Sequence, residues 1–242
     1  MTMMNLPPPH ANWDYVSNLA LSATGLDTAA GSSETNPAVS LVSSQVYPPD
    51  VTLFQQGSHS QQVYFIERGL VKLNRVEQDG QQIIIGLRSS GWMLGTSAVI
   101  LRKLNPVSAT TLTSCHIRHI SADAFRHLLK TDVQFSWYIQ HSQSRETHEQ
   151  INRIAQLSCL SARHRLEQLL WELTSALAPG DAKKEVKIEV PLKQWEIAQL
   201  IGVTPEHLCR MLRQLEDEGV LCRKKGWLIA KDAEKLWHSG DS

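Results

Sequence analysis

The sequence predicts an α+β protein: a small all-β body, then a long helix, then a C-terminal winged helix-turn-helix. Three observations predict it. Between residues 50 and 95, short apolar runs rich in β-branched and aromatic residues alternate with glycine turns about every ten residues, as in a small sandwich or barrel. Beyond residue 121, apolar residues recur at steps of three and four, the period of a helix. Near the C-terminus, two short helical patterns meet at Gly202 between strand-like runs, the layout of a helix-turn-helix with a wing.

The first forty-odd residues are rich in Pro, Ser, Thr, Ala and Asn and contain no Lys or Arg. That composition predicts a poorly ordered extension over residues 1–40. Trp13, Val16, Leu19 and Ala20 have helical spacing within it, so a short helix there is an option. No basic residue precedes Arg68, so no secretory leader is expected and the cytoplasm is the predicted location, with the nucleoid when on DNA. No run is apolar enough for a bilayer span, and no membrane partner is expected.

The β region is predicted over 41–130. Its runs are VTLF, VYFI, LVKLNRV and QIIIGL, separated by turns at Gly57, Gly69, Gly80 and Gly91. Asp79-Gly80 is a hairpin signal. The strand pattern continues through SATTLTSCHIRHI. SADAFRHLLK then reads as a helix capped by Ser121, with Ala124, Phe125, Leu128 and Leu129 on one face. The long helix is expected from about Asp132 to Leu157, a segment assigned to 131–158. Val133, Trp137, His141, Ser144, His148, Ile151 and Ala155 form a seam along it, suited either to a partner helix or to the body of the same subunit. The dimer reading takes Trp137, His141, Ser144, His148, Ile151 and Ala155 as interface. A break is expected at Ser158–Ser161, and a further helix from Ala162 to Leu177.

The functional segment lies in residues 159–242. VKIEV (186–190) alternates as a short strand. Gln194 to Ile201 is a short helix with Ile197, Ala198 and Ile201 inward. Gly202 supplies the tight turn. Thr204 caps a second helix with Pro205 at its first position, running to about Glu218 and turning Leu208, Met211, Leu212 and Leu215 inward. VLCR-KKG-WLIA completes a basic hairpin. The exposed start of the second helix carries Glu206, Cys209 and Arg210. Such a position reaches base edges in the major groove, where Arg takes guanine O6 and N7 and Glu accepts from cytosine N4. Glu206 and Arg210 are also spaced for an ordinary surface ion pair. Lys193, Thr204, Arg213, Arg223, Lys224 and Lys225 are placed to meet phosphates. Formal net charge is +0, so any field that attracts DNA is local.

Cys115, Cys159, Cys209 and Cys222 form no C-x-x-C pair. They read as reduced thiols, with neither a structural zinc nor a four-cysteine iron–sulfur site, and no cofactor or metal is predicted. No catalytic constellation is present. A cupin-type β-barrel enzyme is disfavoured because His116 and His119 would point to opposite faces of one strand.

QWEIAQLIGVTPEHLCRMLRQLEDEGVL resembles the DNA-binding signature of the Crp/Fnr family. The glycines at Gly57, Gly69, Gly80, Gly91 and Gly95, with VYFIERGLVKL, resemble that family's effector domain. The resemblance spans about 45–235. It implies a β-roll (a double-stranded β-helix, jelly-roll-like), a dimerisation helix and a winged helix, acting as a homodimer on palindromic double-stranded DNA. RNA polymerase is a further candidate partner. The recognition Glu and Arg fall on Glu206 and Arg210, while Pro205 and Cys209 depart from the pattern. In cAMP-binding members a Gly-Glu-Leu turn and an Arg-Ser pair hold the ribose and phosphate. Here those places read Gly95-Thr96-Ser97 and Val107-Ser108, and the helix contacts read Gln150-Ile151. The resemblance therefore implies an effector other than cAMP, and the missing N-terminal cysteines exclude the iron–sulfur centre of the Fnr branch. An unknown small-molecule effector or a purely structural β-roll remain the two options. The alternative reading is a ligand-binding module that regulates a protein partner without DNA.

Overall fold

The computed structural model describes residues 43–177, 192–224 and 227–230. The extension over 1–40, its short helix and the strand expected at 186–190 lie outside the described residues. Ten strands and six helices are described. The β body contains β1 (Ser43–Tyr47), β2 (Thr52–Phe54), β3 (Gln62–Arg68), β4 (Val71–Val76), β5 (Gln82–Arg88), β6 (Met93–Leu94), helix α1 (Thr96–Leu101), β7 (Ser108–Thr111) and β8 (Cys115–Ser121). They form two antiparallel four-stranded sheets, ordered β1-β8-β3-β6 and β2-β7-β4-β5. Inward residues of the two sheets, among them Tyr64, Ile66, Val71, Leu73, Ala109 and Ile117, share one core, as expected of sheets stacked face to face.

The turn between β3 and β4 shows why glycine recurs. Gly69 has φ +105°, and a Cβ there would lie 2.6 Å from Cys115 Sγ and 2.7 Å from the Ser114 carbonyl oxygen. Only a residue with no side chain fits this left-handed, crowded position. The Asp79-Gly80 signal corresponds to the β4–β5 connection, with Val76 opposite Gln82.

Helix α2 (Ala122–Thr131) starts where Ser121 Oγ accepts the Ala124 N–H, and buries Ala124, Phe125 and Leu128. Asp132 ends it and caps the long helix α3 (Val133–Cys159) by accepting the Phe135 N–H at 2.7 Å. Phe135, Tyr138 and Ile139 anchor α3 to the β body, with Phe135 edge-on to Phe125. The helix runs through Ser158 and Cys159 instead of ending near Leu157. Ser158 Oγ donates to the Ile154 carbonyl within the helix, so the serine is accommodated without breaking it. Leu160 ends it.

Helices α4 (Ala162–Leu177), α5 (Gln194–Ile201) and α6 (Pro205–Asp217) and the hairpin β9 (Leu221–Lys224) and β10 (Trp227–Ala230) form the C-terminal unit. Its core joins Leu166, Leu173, Ile197, Ile201, Leu208, Leu212 and Leu215. That core is continuous with Leu70, Ile84 and Leu112 of the β body. Polar contacts reinforce the junction. Lys72 Nζ meets Glu196 Oε1 at 2.5 Å, with side-chain exposures of 15% and 4%. Gln199 grips the free edge of β5, donating to the Gln82 carbonyl at 2.9 Å and accepting the Ile84 N–H at 3.2 Å.

Candidate nucleic-acid interface

Helix α5 ends at Gly202, left-handed at φ +66°. Its last carbonyls are claimed by two guanidinium groups. Arg153 of α3 donates to the Leu200 carbonyl at 3.0 Å, and Arg165 of α4 donates to the Ile201 carbonyl at 2.8 Å and to the Leu160 carbonyl at 2.6 Å. Cations at a helix C-terminus satisfy unpaired carbonyls and complement the dipole. The turn into the second helix is thereby held by both flanking helices.

Thr204 then caps α6, its hydroxyl oxygen accepting the His207 N–H at 3.3 Å, and Pro205 takes the first helical position. Leu208, Met211, Leu212 and Leu215 are buried. Glu206, His207, Arg210 and Arg213 are exposed on the other side, and Cys209 is half-buried at the margin. Among the described residues no ion pair engages Arg210 or Arg213. The Glu206 carboxyl is held below the usual carboxylate range, first by its own backbone N–H, then by the Thr204 hydroxyl, with the Arg210 charge adding to them. Glu206 is therefore presented ionised, as an acceptor.

Lys193 is exposed at the start of α5, where its backbone N–H donates to Glu196 Oε2 at 2.7 Å. Arg223 and Lys224 belong to strand β9 and not to the hairpin turn, because Lys224 pairs with Trp227 and Arg223 with Leu228. Lys225 lies outside the described residues. The far end of α6 is tied back to α4, where Arg163 donates to Glu218 Oε1 at 2.6 Å and to Glu167 at 2.8 Å.

The seam residues of α3 all face away from the β body. Trp137 is 62% exposed and Ile151 58%, and His141, Ser144, His148 and Ala155 are exposed as well. Ile154, at 66%, is exposed beside them. The sequence reading took the step of four from Ile151 to Ala155 and so passed over Ile154, three residues on.

Two family models match the chain: a cyclic nucleotide-binding domain over residues 44–132 and a Crp-like helix-turn-helix domain over 164–238. The chain belongs to the Crp/Fnr family. This Crp/Fnr protein is a DNA-binding transcriptional regulator. It is 23% identical over 176 residues to the cAMP-activated global transcriptional regulator CRP of Salmonella typhimurium, covering 72% of this chain and 83% of that one. It is 23% identical over 203 residues to a CRP-like cAMP-activated global transcriptional regulator of Mycobacterium tuberculosis, covering 82% and 90%. Its fold is similar to that of FixK2 from Bradyrhizobium japonicum, with a TM-score of 0.69 at 19% identity over 84% of this chain and 98% of that one. The c-di-GMP responsive regulator CLP of Xanthomonas campestris gives a TM-score of 0.64 at 19% identity over 78% and 94%. Among the described residues no helix is long and apolar enough to cross a membrane.

The β body of this Crp/Fnr protein encloses a cavity of about 190 Å³ between its sheets and α3, lined by residues including Gly95, Thr96, Ser97, Val107 and Gln150. Of these, Thr96, Ser97, Val107 and Gln150 are positions where the sequence departs from the cAMP pattern. The same wall contains Arg88, Asn105 and Glu146, which sequence reasoning did not single out. Arg88 Nη2 pairs with Glu146 Oε1 at 3.2 Å, and Arg88 also lies 4.6 Å from the centroid of Trp92. Arg145 covers Trp92 at 4.3 Å and donates to the Gly91 carbonyl. The cavity's one lining cation is thus neutralised by an internal carboxylate. Ligand sites for larger molecules run roughly 300–1,000 Å³. At about 190 Å³ this cavity lies below that range.

Proposed function

We propose that two copies of this chain, joined along the outer face of α3, bind a two-fold symmetric duplex site and regulate transcription in response to an effector other than cAMP or an iron–sulfur cluster. Glu206 and Arg210 read base edges, with Cys209 beside them. Lys193, Thr204, Arg213, Arg223, Lys224 and Lys225 contact phosphates. The observation that carries this reading is the asymmetry of α6: one face is wholly buried, and the other presents an ionised Glu206 and an exposed Arg210 one turn apart. Arg can pair bidentately with guanine while Glu accepts from cytosine N4, so together they favour a G·C pair at a fixed place in each half-site. The exposed Trp137, Ile151 and Ile154 support the dimer, since a surface helix rarely leaves a row of large apolar residues in water without a partner.

The test is selection from random duplex DNA with the full chain, followed by affinity measurement against salt. The expected outcome is a two-fold symmetric site whose half-sites are spaced about one helical turn apart, with affinity falling steeply as salt rises. Absence of a symmetric site and of any salt dependence would favour the alternative, a module that regulates a protein partner.

A further inference from the structure

The outer face of the sheet β2-β7-β4-β5 carries a groove of about 570 Å³, within the usual range of ligand sites. It shares no lining residue with the cavity against α3. Cross-strand register builds its floor. Thr52, Thr110 and Lys72 stand side by side on β2, β7 and β4, and Ser108 stands beside Asn74 in the next row. Gln56 closes one end. Its Nε2 donates to the Val76 carbonyl at 3.0 Å, its Oε1 accepts the Val76 N–H at 2.7 Å, and its own N–H donates to Ser108 Oγ at 2.9 Å. The rim is thus fixed before anything binds. One group on the floor is unmatched. Asn74 is 7% exposed, yet its amide makes no hydrogen bond among the described residues. Its oxygen and nitrogen still reach the groove, for neither is among the sealed atoms that lack a partner. Asn is a poor strand former, and a polar side chain this deeply buried calls for a partner. The β4–β5 ladder also shifts register between Leu73 and Asn74. Such bulges re-aim a side chain and are common beside binding sites. No acidic residue lines the groove, and its lining cation, Lys72, is held by Glu196.

We propose that this groove binds a small neutral polyhydroxylated molecule of the saccharide class, with the Asn74 amide at the centre of its hydrogen bonds. Each hydroxyl of such a ligand both donates and accepts. The lining answers in kind, because the hydroxyls of Thr52, Ser108 and Thr110 and the amides of Gln55, Asn74 and Gln82 each offer both roles. Val76 is the one large apolar side chain in the lining, so an oily ligand finds little to cover. An anion would have to compete with Glu196 for Lys72. The site goes beyond the DNA-reading role and shares no residue with it. Its floor also holds the first helix of the helix-turn-helix: Lys72 pairs with Glu196, and the Gln82 carbonyl accepts from Gln199. A bound sugar shifts DNA affinity only by preferring one seating of α5 over another.

Calorimetric titration of the full chain with glucose, galactose, maltose and sucrose, beside glucuronate and cyclohexanol, tests the proposal. At least one of the four sugars is expected to bind with Kd of about 1 mM or tighter. Glucuronate, which adds a charge, and cyclohexanol, which keeps one hydroxyl on an apolar ring, are each expected to bind at least about tenfold more weakly. Asn74→Leu keeps the size of the side chain and removes its amide. It should weaken the bound sugar at least about tenfold and leave the urea midpoint no lower, because the amide has no partner in the chain to lose. An asparagine with a merely structural role would do the reverse, lowering the midpoint and sparing the sugar. Thr52 is exposed at the rim, so Thr52→Trp keeps the fold even where the inner variant does not, and it should block the groove with a similar loss. No binding by any of the four sugars up to about 10 mM overturns the proposal. So does glucuronate or cyclohexanol binding as tightly as the sugar, or sugar binding unchanged in either folded variant. The titration contains no DNA, so its outcome stands apart from that of the duplex selection.

Discussion

The recognition helix and the β cavity treat charge in opposite ways. On α6, Arg210 and Arg213 are exposed with no ion pair among the described residues, and Glu206 is kept ionised by its own turn. In the cavity, Arg88 is buried and paired with Glu146. One surface keeps its charges available for an outside partner, and the other neutralises them internally. The difference teaches what each surface can meet: charge left unpaired on an exposed face is available to phosphates and base edges, whereas charge paired inside a wall is already satisfied within the chain.

The comparison breaks first if the two regions are mechanically independent. Lys72 and Glu196 join them through a nearly dry ion pair. Lys72→Met leaves a buried carboxylate uncompensated and is expected to cost about 3 kcal/mol, read as a lower urea midpoint of the full chain. Charge exchange, Lys72→Glu with Glu196→Lys, should recover part of that loss. An unchanged midpoint in Lys72→Met would mean that the two units are held by apolar contact alone.

Next in size is the reading surface itself. Arg210→Ala should cost about 1–3 kcal/mol of specific affinity and relax preference at one G·C pair. Arg213→Ala should weaken all sequences alike and lower the salt slope by roughly one. A variant at Arg210 that selects the same site with the same affinity would show that its charge is not read. On the dimer face, Ile154→Glu should raise the dimer dissociation constant at least about tenfold, because a charge would be buried against a second α3. Sedimentation at several concentrations reads this directly, and an unaltered monomer–dimer balance would place the interface elsewhere.

The smallest expected effect is on pH. Arg163 holds the Glu218 carboxyl below its ordinary value of 4.5. A depressed carboxylate adds stability that is complete above the unfolded value and is lost as pH falls through the folded one. The pair is exposed, so the loss is a few tenths of a kcal/mol at most after solvent screening. It should appear below about pH 4.5 in the parent and be absent in Glu218→Gln. A similar loss in both proteins would assign the acid sensitivity to other carboxylates.

The fold was legible wherever one residue type answers one local need. Thr204-Pro205 marks a helix start, Gly202 a left-handed turn and Ser121 a cap, and each sits where its chemistry requires. What sequence could not reveal depends on long-range pairing. Glu196 reads as an ordinary acidic residue in a first helical turn, yet it is buried because Lys72, 124 positions earlier, neutralises it. Arg88 reads as the end of a strand, yet across 58 positions it meets Glu146. In VLCR-KKG-WLIA the sequence does not say where strand ends and turn begins around Arg223 and Lys224. Cross-strand pairing with Leu228 and Trp227 decides it.

Gln199 has a consequence beyond joining two domains. Its amide imitates the backbone of a neighbouring strand, occupying one carbonyl and one N–H on the outer rim of β5. Any conformation in which α5 lifts away strips that mimic off and bares a strand rim ready to pair with whatever extended chain it meets. Gln199 therefore doubles as a guard against clumping. A lasting detachment would show itself as loss of the soluble protein before it showed as a change in gene control.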